Sequence, residues 1–198
     1  MEMKTDVQAA YGRAIEQAAR VVEGVRPEQL GTATPCHRWN TRELLNHFVG
    51  SNLMMSTAGS GKSMGEGSGT DTVAAMGDLI GDDPAAAYAS ASAGAMQAFT
   101  APGALERIWK LPFGEVPGAF ALNIHFVETV AHTWDLAKTT GQLHKLDPEL
   151  AESGVEVARS WMQDQYRNEK GDPFAAEVTV PAGAGAYDRM AGYLGRTP

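Results

Sequence analysis

The chain has 198 residues, 43% of them hydrophobic, which is enough length and apolar content for one domain with a proper core. Its net charge of −8, with no basic block, argues against nucleic acid or an anionic membrane as a partner. No apolar run approaches the ~20 residues a bilayer span requires. The single cysteine, Cys36, allows no internal disulfide and fits a reducing cytoplasm.

The N-terminus is charged and amphipathic rather than a signal peptide. Residues 4–24 carry Val7, Ala10, Tyr11, Ala14, Ile15, Ala18 and Val22 at helical spacing and end at Gly24, which predicts a first helix. The stretch RPEQLGTATPCHRW is a connector with two prolines. A second helix begins at Asn40, whose side chain can cap it, with Glu43 at the reciprocal capping-box position. Leu44, Leu45, Phe48, Val49 and Leu53 make its apolar face, and His47 falls among them.

Residues 56–71 are rich in Gly and Ser and read as a mobile loop, a lid or rim for a pocket. The segment STAGSGKS (56–63) comes close to a phosphate-binding loop. It has Ser56 where that motif needs Gly, and it follows a helix instead of a strand, so no nucleotide site is expected. A third helix is capped by Asp82 or Asp83 with Pro84 in its first turn. LPFGEVPG (111–118) breaks the chain. A fourth helix covers roughly 118–140 and stops at Gly141, and another covers about 147–168. The tail reads as a short extended piece and a small helix ending at Gly195. Several long antiparallel helices with one apolar face each imply an all-α bundle, with residues 1–198 as a single domain and a short C-terminal extension.

The segment HFVETVAHTWD, 125–135, carries His125, Glu128, His132 and Asp135 at spacings of 3, 4 and 3. At 100° per residue the first three fall within roughly 60° of one another. Such a stripe is as readily a solvated helix edge as a site. His47 favours a site, because it lies mid-helix among apolar residues and facing helices build metal centres in bundle cores. Glu128 and His132 are about 6 Å apart along the axis, a comfortable chelating pair, and His125 with Glu128 is a second pair. His125 and His132, about 10.5 Å apart, cannot easily share one ion. Spacing therefore keeps Glu128 in either solution and leaves the histidine open. Two His and one carboxylate with open positions suit catalytic zinc, and nickel or iron share those donors.

TPCHRWNTRELLNHFVG and ETVAHTWDLAKTTGQ resemble the DinB-like bundle proteins, in the branch related to mycothiol-dependent maleylpyruvate isomerase. The likeness extends to DPAAAYASASAGAMQAFTAPGAL and to the closing DRMAGYLGR, and is strongest to small actinobacterial members that lack the isomerase's C-terminal domain. It implies a four-helix bundle holding one divalent metal through His47, Glu128 and His132. It also implies Asp135 beside the metal, orienting His132 or handling a proton. His125, Trp39 and Arg196 are then expected at the substrate pocket. Thr133 stands where the family often has Gly, and His37 occupies a usually small position. With no C-terminal domain, maleylpyruvate is not the expected substrate.

Three functions fit these residues. A metal-activated low-molecular-weight thiol, mycothiol first, would perform S-transfer or thiol-assisted isomerisation of a small electrophile. A thiol-independent hydrolase, isomerase or lyase would keep the metal alone. A metal-binding stress protein would catalyse nothing. Expected partners are a small-molecule substrate and a low-molecular-weight thiol, with a homodimer carried as an option. Cys36 is not expected to be a nucleophile, Trp134 reads as core packing, and His144 has no assigned role.

Overall fold

A computed structural model describes residues 5–63, 65–167 and 174–198. Its helices are α1 (Val7–Glu23), α2 (Thr41–Gly59), α3 (Gly69–Ala74), α4 (Pro84–Thr100), α5 (Gly118–Thr140), α6 (Pro148–Trp161) and α7 (Ala186–Tyr193). The strands β1 (Ile108–Leu111) and β2 (Gly114–Pro117) form one antiparallel hairpin.

Local chemistry sets the helix ends. Asp6 accepts hydrogen bonds from Gln8 N and Ala9 N at the start of α1. Asn40 and Glu43 exchange the two bonds of a capping box at α2, at 3.0 and 2.9 Å, as their spacing predicts. Asp83 and Asp147 cap α4 and α6, each followed by a proline in the first turn. Helix α5 stops where Gly141 turns left-handed with φ 76°, a conformation that carries little steric cost for glycine.

Helix α1 packs on α4 and α5, and α2 packs on the same two, so the four close into a bundle. Helix α6 lies against α5 and α1, and α7 against α6 and α5. The buried apolar side chains fall into two clusters. One joins Tyr11, Met55, Phe99, Trp109, Phe126 and Trp134; the other joins Val21, Leu44, Phe48, Tyr88, Leu136 and Ala137. Buried polar residues of α2 and α5 are found alongside both: His47, Ser51 and Asn52 on one helix, His125, Thr129, His132 and Asp135 on the other. Thr129 and Thr133 fit this interior because each hydroxyl donates to the carbonyl four residues back, at 2.7 and 2.6 Å.

Four expectations change. Residues 56–59 continue α2, and α3 begins at Gly69, so the Gly/Ser-rich loop is much shorter than 56–71. The segment 111–118 is mostly hairpin, held by Trp109, which is buried, donates its indole N–H to Ala104 O at 2.9 Å and stacks on Phe99. The helix expected over 147–168 ends at Trp161, and residue 168 lies outside the described residues. Leu53 is 38% exposed instead of lying on the buried face of α2. No helix among the described residues is long and apolar enough to cross a membrane.

Candidate metal centre

His47 projects from α2 and Glu128 and His132 project from α5. Their ligand atoms all lie within 4.8 Å of one another. His47 Nε2 and Glu128 Oε1 are 2.6 Å apart, and His132 Nε2 is 4.0 Å from the same oxygen. The two imidazole rings meet edge to face with centroids 5.1 Å apart. His125 belongs to no such group among the described residues. The approach of α2 brings His47 to Glu128 and His132, and these three form the candidate group.

The state of His132 suits a ligand. Its Nδ1–H donates to Asp135 Oδ2 at 3.0 Å, which leaves the lone pair on Nε2, on the side facing Glu128 and His47. Burial lowers the pKa of this imidazole, and the hydrogen bond to Asp135 only partly opposes that. The ring is therefore neutral at neutral pH, as metal binding requires.

Asp135 is 0% exposed and both its oxygens are engaged. Arg196 Nε, in the turn after α7, donates to Oδ1 and Oδ2 at 2.9 and 3.0 Å. Burial alone would raise the Asp135 carboxyl, but the Arg196 charge, with help from His132, holds it below its ordinary value. Arg196 is likewise held charged against the effect of burial by Asp135. The chain Arg196–Asp135–His132 holds the His132 ring from behind. Arg196 is committed to Asp135 and lies in the structure as the partner of that carboxylate.

Trp39 is half-buried and stacks on His47 with centroids 4.2 Å apart and planes at 23°, edge-on to His132. It forms an aromatic wall over the centre. Glu128 keeps 23% side-chain exposure, against 6% for His47 and 8% for His132, so the carboxylate is the most exposed of the three groups. His125 is 1% exposed, enclosed by Tyr11, Phe99 and Asn52. It lies inside the bundle and not on the open side.

Cys36, His132 and Asp135 make a second convergent group. Asp135 is already occupied there, and burial raises the Cys36 thiol, so this group is the poorer metal site. A small cavity of about 30 Å³ lies beside Cys36 and Arg196. The cleft lined by Ser63 and residues 65–67 is shared with hairpin residues 110–115, holds about 550 Å³, and contains none of the metal-centre residues. Asn52, Tyr11 and Tyr88 are buried polar neighbours that the sequence does not single out. Their spacing on apolar faces reads as packing, and only Asn52, five residues after His47, carries a hint.

Residues 11–137 match the family described as Mycothiol maleylpyruvate isomerase N-terminal domain. Two uncharacterized proteins of Mycobacterium tuberculosis, Rv0738 of strain H37Rv and MT0763 of strain CDC 1551, are each 36% identical over 188 residues, 95% of this chain and 96% of theirs. No solved structure matches the chain. The chain belongs to the mycothiol maleylpyruvate isomerase N-terminal domain family and has its DinB-like helical fold.

Proposed function

We propose that the protein holds a divalent metal through His47 Nε2, Glu128 Oε1 and His132 Nε2, and uses it to activate a low-molecular-weight thiol of the mycothiol class. The observation that carries this reading is the convergence of two imidazole nitrogens on one carboxylate oxygen, with the His132 lone pair already turned inward by Asp135. Two neutral imidazoles and a carboxylate are the donor set of catalytic zinc, and they also accept nickel or iron. When bound, such an ion supplies Lewis acidity that lowers the pKa of a thiol reaching it.

The chain's own residues do the rest. Asp135 and Arg196 keep His132 in one tautomer and orientation. Trp39 shields His47 and offers a flat apolar surface to an incoming molecule. The exposed edge of Glu128 marks the direction of approach. The thiol gives its proton to solvent, and its sulfur displaces a leaving group from an electrophilic carbon: the C–S bond forms as the bond from carbon to that group breaks and the group departs with the electron pair, giving a conjugate. Alternatively it adds to a conjugated alkene and leaves again after rotation, giving an isomer. The family supports the thiol, since the isomerase in its description uses mycothiol.

The test is turnover of a chromogenic electrophile with mycothiol and metal-loaded protein. The expected result is conjugation above background that is lost with a chelator and in His47→Ala. Turnover without thiol would move the assignment to a thiol-independent metalloenzyme. No rate above background with any thiol would contradict the reading.

A further inference from the structure

Arg196 pairs with Asp135 through Nε, the guanidinium nitrogen nearest the backbone, at 2.9 and 3.0 Å from the two carboxylate oxygens. So short a reach leaves the side chain little slack, and the position of the turn after α7 decides whether the pair forms. That turn is held closely. Gly195 N and Arg196 N donate to the carbonyls of Gly192 and Ala191, at 3.0 and 2.8 Å, and Val178 N donates to Gly192 O at 2.9 Å. Residues 175–178 therefore lie directly on the turn. A β-carbon at Gly192 would come within 2.6 Å of Val178 O. One at Gly195, where φ is 83°, would come within 2.7 Å of Ala175 O, so glycine lets the two segments meet.

Arg167 joins these segments. Its Nη1 donates to the Ala175 carbonyl at 3.0 Å and to the Tyr193 carbonyl at 2.8 Å, one on each side of the contact. Its guanidinium lies 4.8 Å from the centre of the Tyr193 ring, which Arg159 of α6 also approaches, at 5.3 Å. Both distances are within cation–π range. Tyr166, next to Arg167, packs edge-on against Trp161 at the end of α6. A charged donor holds a carbonyl more strongly than a neutral one. Tyr193 is three residues before Arg196, so the staple falls on the backbone that sets the reach of Arg196.

We infer that Arg167 is a positioning residue for the metal centre: it fixes the turn that carries Arg196, and so acts through Arg196 and Asp135 on the orientation of His132. Both arginines lie beyond residues 11–137, so this support comes from outside the family match. With the turn displaced, Arg196 Nε draws away from Asp135, and His132 is left with a carboxylate that has lost its cation. The effect on the metal rests on His132 being a ligand as proposed above. The effect on the His132 ring needs no metal.

Arg167→Met keeps the apolar stem and removes the donors. It is compared with Arg196→Met and with the double variant, by zinc titration against a competing chelator and by imidazole NMR of metal-free protein. Arg167→Met is expected to weaken zinc binding several-fold and to shift or broaden the resonance of the His132 Nδ1–H bonded to Asp135. In the Arg196→Met background the same change is expected to alter zinc affinity by less than about twofold, since the two residues act along one path. Arg167→Lys, which keeps the charge without the planar fork, is expected to show the same pattern with a smaller loss, and serves where Arg167→Met does not fold. A lower melting temperature with zinc affinity and the His132 resonance unchanged would overturn the positioning role and leave Arg167 a structural staple. An equal fold-loss in both backgrounds would overturn the path through Arg196. A wild-type protein that binds no zinc would overturn the metal reading alone, because the His132 resonance reads the positioning in metal-free protein.

Discussion

On the outer side of Glu128, the His132 Nδ1–H is taken by Asp135 and the Asp135 carboxylate by Arg196. On the inner side, His125 Nδ1 lies 3.5 Å from Glu128 Oε2, and among the described residues the hydroxyls of Tyr11 and Tyr88 have no hydrogen-bond partner. Both sides use a histidine on α5, one turn or so from Glu128. The outer one is locked by charge, and its lone pair faces the second histidine. The inner one meets the neutral amide of Asn52 through Nε2 and Glu128 through Nδ1. A histidine's role here follows from what its other nitrogen is bonded to, more than from its distance along the helix.

The largest effect that would sharpen this contrast is loss of a ligand. His132→Ala is expected to abolish stoichiometric zinc binding, while His125→Leu keeps one zinc per chain at reduced affinity; metal analysis of purified protein checks both. Equal loss in the two variants would erase the distinction between the sides. Next comes Arg196→Met, which leaves the Asp135 carboxylate buried without its cation. Breaking a buried pair costs about 3–5 kcal/mol, read as a lower denaturant midpoint.

A smaller effect is expected from Asp135→Asn. It removes the charge behind His132 and keeps the shape, so zinc affinity should fall by about 10–100-fold with the fold retained in circular dichroism. The smallest concerns acid. The Asp135 carboxyl lies below its ordinary value in the folded protein. Its contribution is therefore complete above the unfolded value near 4 and is lost as pH falls through the lower folded value. Acid unfolding of wild-type protein should show an added loss below about pH 4 that Asp135→Asn lacks.

Much of the scaffold is legible in the sequence because caps are local. Asn40 with Glu43, Asp83 with Pro84 and Gly141 mark helix ends through bonds that span a few residues. The hairpin is less legible, since Pro112 and Gly114 read as breakers, and the alternation of Trp109 and Leu111 covers only four residues. At the centre, the stripe on α5 is visible as spacing, and His47 as a polar residue on an apolar face. The choice of His132 over His125 depends on where α2 crosses α5, which the sequence reveals only through resemblance. Arg196 and Asp135 are 61 residues apart, and no periodicity links them. Tyr11 and Tyr88 look like ordinary core aromatics, because helical spacing reports burial and not where a hydroxyl points.

The most direct measurement is an anomalous-scattering crystal structure of the zinc-loaded protein. The expected result is one peak about 2.0–2.2 Å from His47 Nε2, Glu128 Oε1 and His132 Nε2, with His125 uncoordinated and Asp135 still bonded to His132 Nδ1. A peak coordinated by His125 Nδ1 and Glu128 Oε2, or one held by Cys36 and Asp135, would contradict it.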